Sequence, residues 1–172
     1  MLCDIVERAC VPSVDAAANA SPYIPEIKYA RVISVYDGDT ITVGHKSVSN
    51  KCCCCPCIFR AKIFKYKVRL NGIDCPELRS NHVDEKAVAY MAKKHLTSII
   101  DGKIVKLNVA GYDKYGRVLA DVSYDSLNIS QHMIDVGLAV EYNGKRKQEV
   151  DWMKLLLSKT ESSKELGHLT IV

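Results

Sequence analysis

No stretch of this chain approaches the roughly 18–20 consecutive apolar residues that a membrane-crossing helix needs, which excludes a helical span. A secretory leader is not expected either, because Met1–Val11 carries Asp4, Glu7 and Arg8 where a signal peptide needs an apolar core. Charge of one sign is not in large excess. The net +4 and pI of about 8.6 permit a polyanionic partner without requiring one, since the bases are interleaved with acids. There is no internal repeat. A disulfide framework is absent in spite of eight cysteines, since five crowd into Lys51–Ile58 and adjacent cysteines pair poorly. These absences place the chain in a reducing, intracellular compartment, with the cytoplasm as the expected location.

What is present suits one domain. A length of 172 residues, with 48% hydrophobic and 26% charged residues, is enough for a sizeable core plus a tail or insertion. Residues 1–26 read as a flexible N-terminal arm broken by Pro12, Pro22 and Pro25. The domain proper is expected over residues 27–172. Ile27–Tyr36 is strand-like, Asp37-Gly38 signals a tight turn, and Thr40–Val43 makes a second strand. A Cys-rich insertion at about 44–60 interrupts this hairpin before Ala61–Leu70 resumes as a strand.

Val83–Ile100 carries a helical pattern in Ala87, Val88, Met91, Leu96, Ile99 and Ile100, with Gly102 as its C-terminal cap. Strands follow around Ile104–Val109 and Val118–Tyr124, then a short helix over Leu127–Val136 and a last one from about Lys147 to Leu166. The order β-β-β-α-β-β-α-α is mostly β with α (α+β). It predicts a five-stranded OB-fold barrel with three helices, its strands antiparallel.

Three strand ends or turns carry the polar chemistry: Asp37-Gly38-Asp39-Thr40, the stretch Lys67–Glu77 (KVRLNGIDCPE), and Asp113-Lys114-Tyr115-Gly116-Arg117. Each alone is an ordinary polar turn. Together they supply carboxylates and a backbone carbonyl for a hard divalent cation, a further carboxylate to act on water, and two arginines for a phosphate. That inventory fits phosphodiester hydrolysis. Pro76 stiffens the second stretch by fixing its own φ and extending Cys75.

The order and wording DGDT at 37–40, VRLNGIDCPE at 68–77, DKYGR at 113–117 and GLA at 137–139 resemble the staphylococcal nuclease (thermonuclease-like) family over roughly Ala30–Leu169. The resemblance implies an OB fold with three helices and a calcium-dependent endonuclease that cleaves DNA and RNA with little sequence specificity, leaving 3′-phosphates. By motif position, Asp39 and Asp74 are similar to the calcium carboxylates, and the Cys75 carbonyl to a third ligand. Glu77 resembles the residue that orients or deprotonates water, and Arg69 and Arg117 the pair that grips the scissile phosphate. Lys114, Tyr115 and, with a one-residue shift, Tyr142 resemble residues of the nucleotide pocket. The partners so implied are single-stranded or locally open DNA and RNA, acted on by a monomer.

The chain departs from the family's best-known member in having Cys75 in place of threonine, a shorter segment at Leu78–Asp84, and Leu166-Gly167-His168-Leu169 near its end. Trp152, the only tryptophan, reads as core packing, and His82, His95, His132 and His168 read as scattered and non-catalytic.

The run Cys52, Cys53, Cys54, Cys55 and Cys57 leaves a thiol-rich loop without a special role, S-acylation to a membrane, metal binding and redox regulation all open. An expanded hairpin tip would lie about 13–17 Å from the acids at about 3.3 Å per residue, so a metal there would not be the catalytic ion. Two alternatives stand beside the nuclease: a non-catalytic nucleic-acid-binding module, and a membrane-tethered or metal-binding adaptor organised by the cysteine loop.

Overall fold

Alternation of apolar and polar residues builds the sheet. In the computed structural model, which describes residues 24–47, 62–144 and 149–168, β1 (Tyr29–Val35) turns Ala30, Val32 and Val35 inward. The pairing of β1 with β2 (Thr40–Ser47) shifts register between Val32 and Ser34, which is why Ile33 and Ser34 both face outward. Residue pairs from Thr40↔Arg69 to Ser47↔Lys62 zip β2 to β3 (Lys62–Leu70). After the two-residue β4 (Ile73–Asp74) come α1 (Val83–Ile100), β5 (Ile104–Tyr112) and β6 (Val118–Tyr124). Then follow β7 (Leu127–Asn128), α2 (Ile129–Asp135), β8 (Val140–Glu141) and α3 (Trp152–His168).

The sheet runs β3-β2-β1-β5-β6 and closes on itself through a β3–β6 pair, making a mixed five-stranded barrel with three helices, an OB-type α+β fold. The expectation of antiparallel strands throughout fails at this seam. Val68↔Val118 and Leu70↔Ala120 pair in parallel, because the end of β3 and the start of β6 meet after the chain has crossed over through α1. β4 and β8 form a separate antiparallel pair.

Ile41, Val43, Val68, Leu70, Val105, Val118 and Val122 fill the barrel, and α1 packs Val88, Ala89, Ala92, Leu96 and Ile100 onto the same core. The bounds of α1 match those expected, but its inner face is rotated. Ala87 and Met91 are exposed, while the small Ala89 and Ala92 let the helix sit close to the barrel. Gly102, at φ 68°, turns the chain into β5 as the cap reading requires. The second helix is shorter than expected because Leu127–Asn128 pairs with β6, and Asn128 then caps α2 by accepting from the Gln131 amide. Trp152 is buried, as its reading as packing anticipates, and α3 runs through His168.

Two expectations need adjustment at the hairpin. β2 continues through Ser47 and β3 starts at Lys62, so residues 44–47 belong to the barrel. The paired ladder is about 23 Å long at about 3.3 Å per residue, longer than the 13–17 Å expected. The cysteines at 52–57, residues 1–23, the start of the last helix near 147 and Leu169 lie outside the described residues.

The histidines are less scattered than they read. His95 on α1 and His132 on α2 face each other with their Nε2 atoms 2.9 Å apart and ring centroids 5.1 Å apart. The centroid separation is close to the nitrogen distance plus two ring radii, so the rings meet nitrogen to nitrogen. Burial first, and the facing His132 second, hold His95 below its ordinary 6.5. The unfolded chain therefore takes up a proton on His95 at a higher pH than the folded one does, so stability falls as pH drops below about 6.5. Urea denaturation at pH 7, 6 and 5 is expected to show the native chain losing stability relative to His95→Gln as the pH falls, a difference in which the other titrating groups cancel.

Candidate active site

Arg69 sits on β3 between Val68 and Leu70, both buried inside the barrel, so its own side chain emerges on the outer face. There it is covered by two acids. Its Nη1 lies 2.8 Å from Asp39 Oδ2 and its Nη2 lies 3.4 Å from Asp74 Oδ1, with only about a tenth of each of these side chains exposed. Nη1 also donates to the Leu70 carbonyl at 3.2 Å.

Asp39 reaches Arg69 because the turn before β2 is tied down from several sides. The Tyr36 and Asp37 amides donate to the Thr40 carbonyl, and the Leu70 amide donates to the Asp39 carbonyl at 2.8 Å. Asp74 arrives from the other direction, on β4, fixed by its pairing with Val140.

The parallel seam brings the third turn to the same place. Val118 lies opposite Val68, so Arg117 stands next to the Arg69 end of β3. Asp113 holds it there, accepting from Arg117 Nε at 2.6 Å and from the Arg117 and Tyr115 amides at 2.9 and 2.8 Å. Burial works to raise Asp113, but these hydrogen bonds outweigh it and keep the carboxyl below its ordinary value. Arg117 Nη1 then donates to Thr40 Oγ1 at 3.1 Å, and Thr40 Oγ1 donates to Asp39 Oδ1 at 2.9 Å. One continuous network thus runs Asp113–Arg117–Thr40–Asp39–Arg69–Asp74.

Burial pushes Asp39 up to about 6 from an ordinary 3.8; Arg69 opposes the rise and Asp37 adds to it. The folded chain keeps this proton up to about pH 6 while the unfolded chain releases it near 3.8. The stability this contributes is full below 3.8 and lost as pH rises through about 6. In the presence of a chelator, Asp39→Asn is therefore expected to be more stable than the native chain at pH 7, by on the order of 1–3 kcal/mol. The difference is expected to vanish at pH 4, as read by chemical denaturation.

Cys75 resolves differently from its acidic neighbour. Its thiol is 3% exposed, and a Cβ placed on Gly38 would come within 2.9 Å of both Cys75 Sγ and Ala92 Cβ. Burial first, and Asp39 next, raise the thiol well above its ordinary value, so it stays protonated as a packing group. Gly38→Ala is expected to destabilise the fold by about 1–3 kcal/mol through overpacking at the α1–turn contact, as thermal unfolding would show.

These groups open into a cleft of ≈ 890 Å3 that Glu77, Lys114, Tyr115, Tyr142 and the Cys75 backbone segment also line. Tyr115 is exposed, with Lys114 Nζ 5.0 Å and the Arg117 guanidinium 5.5 Å from its ring centroid. All the site residues expected from sequence thus lie in one cleft, with direct contact among Asp39, Arg69 and Asp74. The sequence reading gave no separate part to Thr40, Asp113 or Glu85. Glu85, in the first turn of α1, accepts from the Glu77 amide and the Ser80 hydroxyl and so anchors the loop bearing Glu77. Asp113 could have been found from its place at the head of a turn, where Asp commonly takes up following amides. Thr40 stands inside the DGDT motif, and Glu85 at the third position of α1 is where an acid reaches back to the amides before a helix. His95 and His132 do not line the cleft.

The family model described as "Staphylococcal nuclease homologue" matches residues 67–166, more than half of the chain. The chain therefore belongs to the staphylococcal nuclease homologue family. A Haemophilus influenzae protein named "Uncharacterized endonuclease" is 34% identical over 115 residues, covering 65% of this chain and 51% of its own length. The rice "Probable staphylococcal-like nuclease CAN1" is 33% identical over 92 residues, 52% of this chain and 26% of that protein. An Escherichia coli "Uncharacterized endonuclease" is 29% identical over 117 residues, 66% of this chain and 61% of that protein. The chain thus spans from about a quarter to about three fifths of the length of these relatives.

Proposed function

We propose that the protein is a calcium-dependent endonuclease that hydrolyses phosphodiesters of DNA and RNA with little sequence specificity and leaves 3′-phosphates. The observation that carries this reading is the single network joining two arginines to Asp39 and Asp74 at the floor of an open cleft. Family membership and the nuclease names of relatives support it.

Arg69 and Arg117 bind the two non-bridging oxygens of the scissile phosphate and offset the charge that grows on them in the transition state. Glu77 orients a water and takes its proton as the oxygen attacks phosphorus in line. The bond from phosphorus to the 5′-oxygen breaks, and that oxygen takes a proton from a solvent water and departs as a 5′-hydroxyl, the resulting hydroxide being neutralised by the proton that Glu77 passes back to solvent. Tyr115, flanked by Lys114 and Arg117, offers a face on which a base stacks, and Tyr142 offers a second.

The donor set suits a hard divalent cation. Asp39 and Asp74 converge on one guanidinium and supply carboxylate oxygens, while the Cys75 thiol is turned into the core. Among the described residues no three His, Cys, Asp or Glu side chains form a metal cluster, and the Cys75 carbonyl and water, which the family resemblance implies as further ligands, would complete the set. When bound, calcium supplies positive charge next to the phosphate.

The test is cleavage of single- and double-stranded DNA and of RNA by purified protein, with calcium and then with a chelator. Cutting that requires calcium and yields 3′-phosphate ends is expected. Glu77→Ser and Arg117→Gly are each expected to lower the rate by about 100-fold or more with the fold intact. Cleavage that ignores the chelator, or no cleavage by folded, calcium-loaded protein, would overturn the reading. In the latter case, retained binding to single strands would identify a non-catalytic module.

A further inference from the structure

Beside the cleft lies a second hollow of ≈ 400 Å3, and the two share Gly72, Ile73 and Tyr142 as a common wall. That wall is fixed: the Tyr142 amide donates to the Gly72 carbonyl at 2.9 Å, and Ile73 pairs with Glu141. Gly72 lies in the turn just before β4, at φ 78° and two residues from Asp74, so the wall that bounds the hollow runs straight into the strand that carries this acid.

The two cavities differ in chemistry. The cleft is lined by Arg69, Arg79, Lys93, Lys114 and Arg117 among its acids, whereas the described residues that line the hollow include Asp121 and Glu141 and no lysine or arginine. Among the described residues, the first lining therefore favours a phosphate more than the second does. The rest of the hollow is neutral and polar, rich in amides and hydroxyls.

Its inner side is rigidly built. Asn71 Nδ2 and Asn108 Nδ2 donate to the two oxygens of Asp121 at 2.9 and 3.1 Å, and Ser130 Oγ donates to the Asn71 carbonyl at 2.9 Å. On the α2 side, Asn128 uses its oxygen to cap the helix, and Gln131 uses its Nε2 on Asp135. The Asn128 amide hydrogens and the Gln131 Oε1 have no other partner among the described residues. One donor group and one acceptor are therefore available together, the pairing that the polar edge of a nucleobase satisfies.

We propose that this hollow receives the uncharged nucleoside, base and sugar, of the nucleotide adjoining the phosphate held at Arg69 and Arg117. The proposal rests on the nuclease reading above and adds a subsite to it. Because any base offers donors or acceptors on its edge, such a subsite adds affinity without imposing a sequence.

The test uses one oligonucleotide with a single preferred cut and copies carrying an abasic residue at each position flanking it. The native chain is expected to show a KM about five- to tenfold higher for one of the abasic copies, the size of one or two hydrogen bonds. Asn128→Ser/Gln131→Ala, which keeps a capping oxygen at position 128, is expected to reduce that difference to less than about twofold. Equal KM values in the native chain, or a difference that persists in the double variant, would overturn the proposal. If the double variant fails to fold, Gln131→Ala alone carries the comparison, with the difference expected to fall by about half. Fluorescence anisotropy with the same oligonucleotides reads the subsite without cleavage. A chain that does not cut but still discriminates against the abasic copy refutes the nuclease reading and leaves the subsite standing. A chain that neither cuts nor binds refutes both.

Discussion

Everything at the site depends on one guanidinium held outside a barrel wall. Arg69 is fixed at its base by Val68 and Leu70 inside the barrel, and at its tip by Asp39 from the first turn and Asp74 from β4. A planar, permanently charged fork can serve two carboxylates at once, where a lysine would present a single point charge. The strand gives it direction and the acids give it a fixed position. Closure of the barrel by the parallel seam then adds Arg117 to the same network. Among the described residues, every buried side-chain nitrogen or oxygen has a hydrogen-bond partner, so the cluster is polar without being orphaned.

The cluster is also out of balance. Two acids close to a single arginine, with a third carboxylate at Asp37 nearby, leave Asp39 with an elevated proton affinity in spite of its ion pair. A fold selected only for stability would replace such a group with a neutral one. A titratable group held out of balance at the floor of a cleft is common where a protein binds or reacts. The neighbouring Cys75 shows the contrast. It sits within the same stiff corner, yet its side chain belongs wholly to the core contact between Gly38 and Ala92.

Much of this was legible in the residues because local rules and the global fold agree. The ends of α1 follow from its periodicity and from Gly102, and the polar turns declare themselves through Asp, Gly and Pro. On α1 the pattern is right for Val88, Leu96 and Ile100 and fails at Ala87 and Met91, because alanines carry little hydrophobic signal although Ala89 and Ala92 are what allows close approach. Long-range events left no local trace. The parallel pairing of Val68 with Val118, the bond from Arg117 to Thr40 and the meeting of His95 with His132 all join residues whose spacing in the chain is set only by the fold.

The β2–β3 ladder has a consequence for how this protein can vary. Arg69 lies opposite Thr40 at one end, and Lys62 opposite Ser47 at the other. Between them runs a continuous stretch of main-chain pairing, packed on the core through Ile41, Val43, Val68 and Leu70 at the first end and carrying the exposed Ile63 and Phe64 toward the other. The acids and arginines thus stand at the packed end of the ladder, and substitutions at Ile63 or Phe64 fall where the pairing strands carry no core contacts.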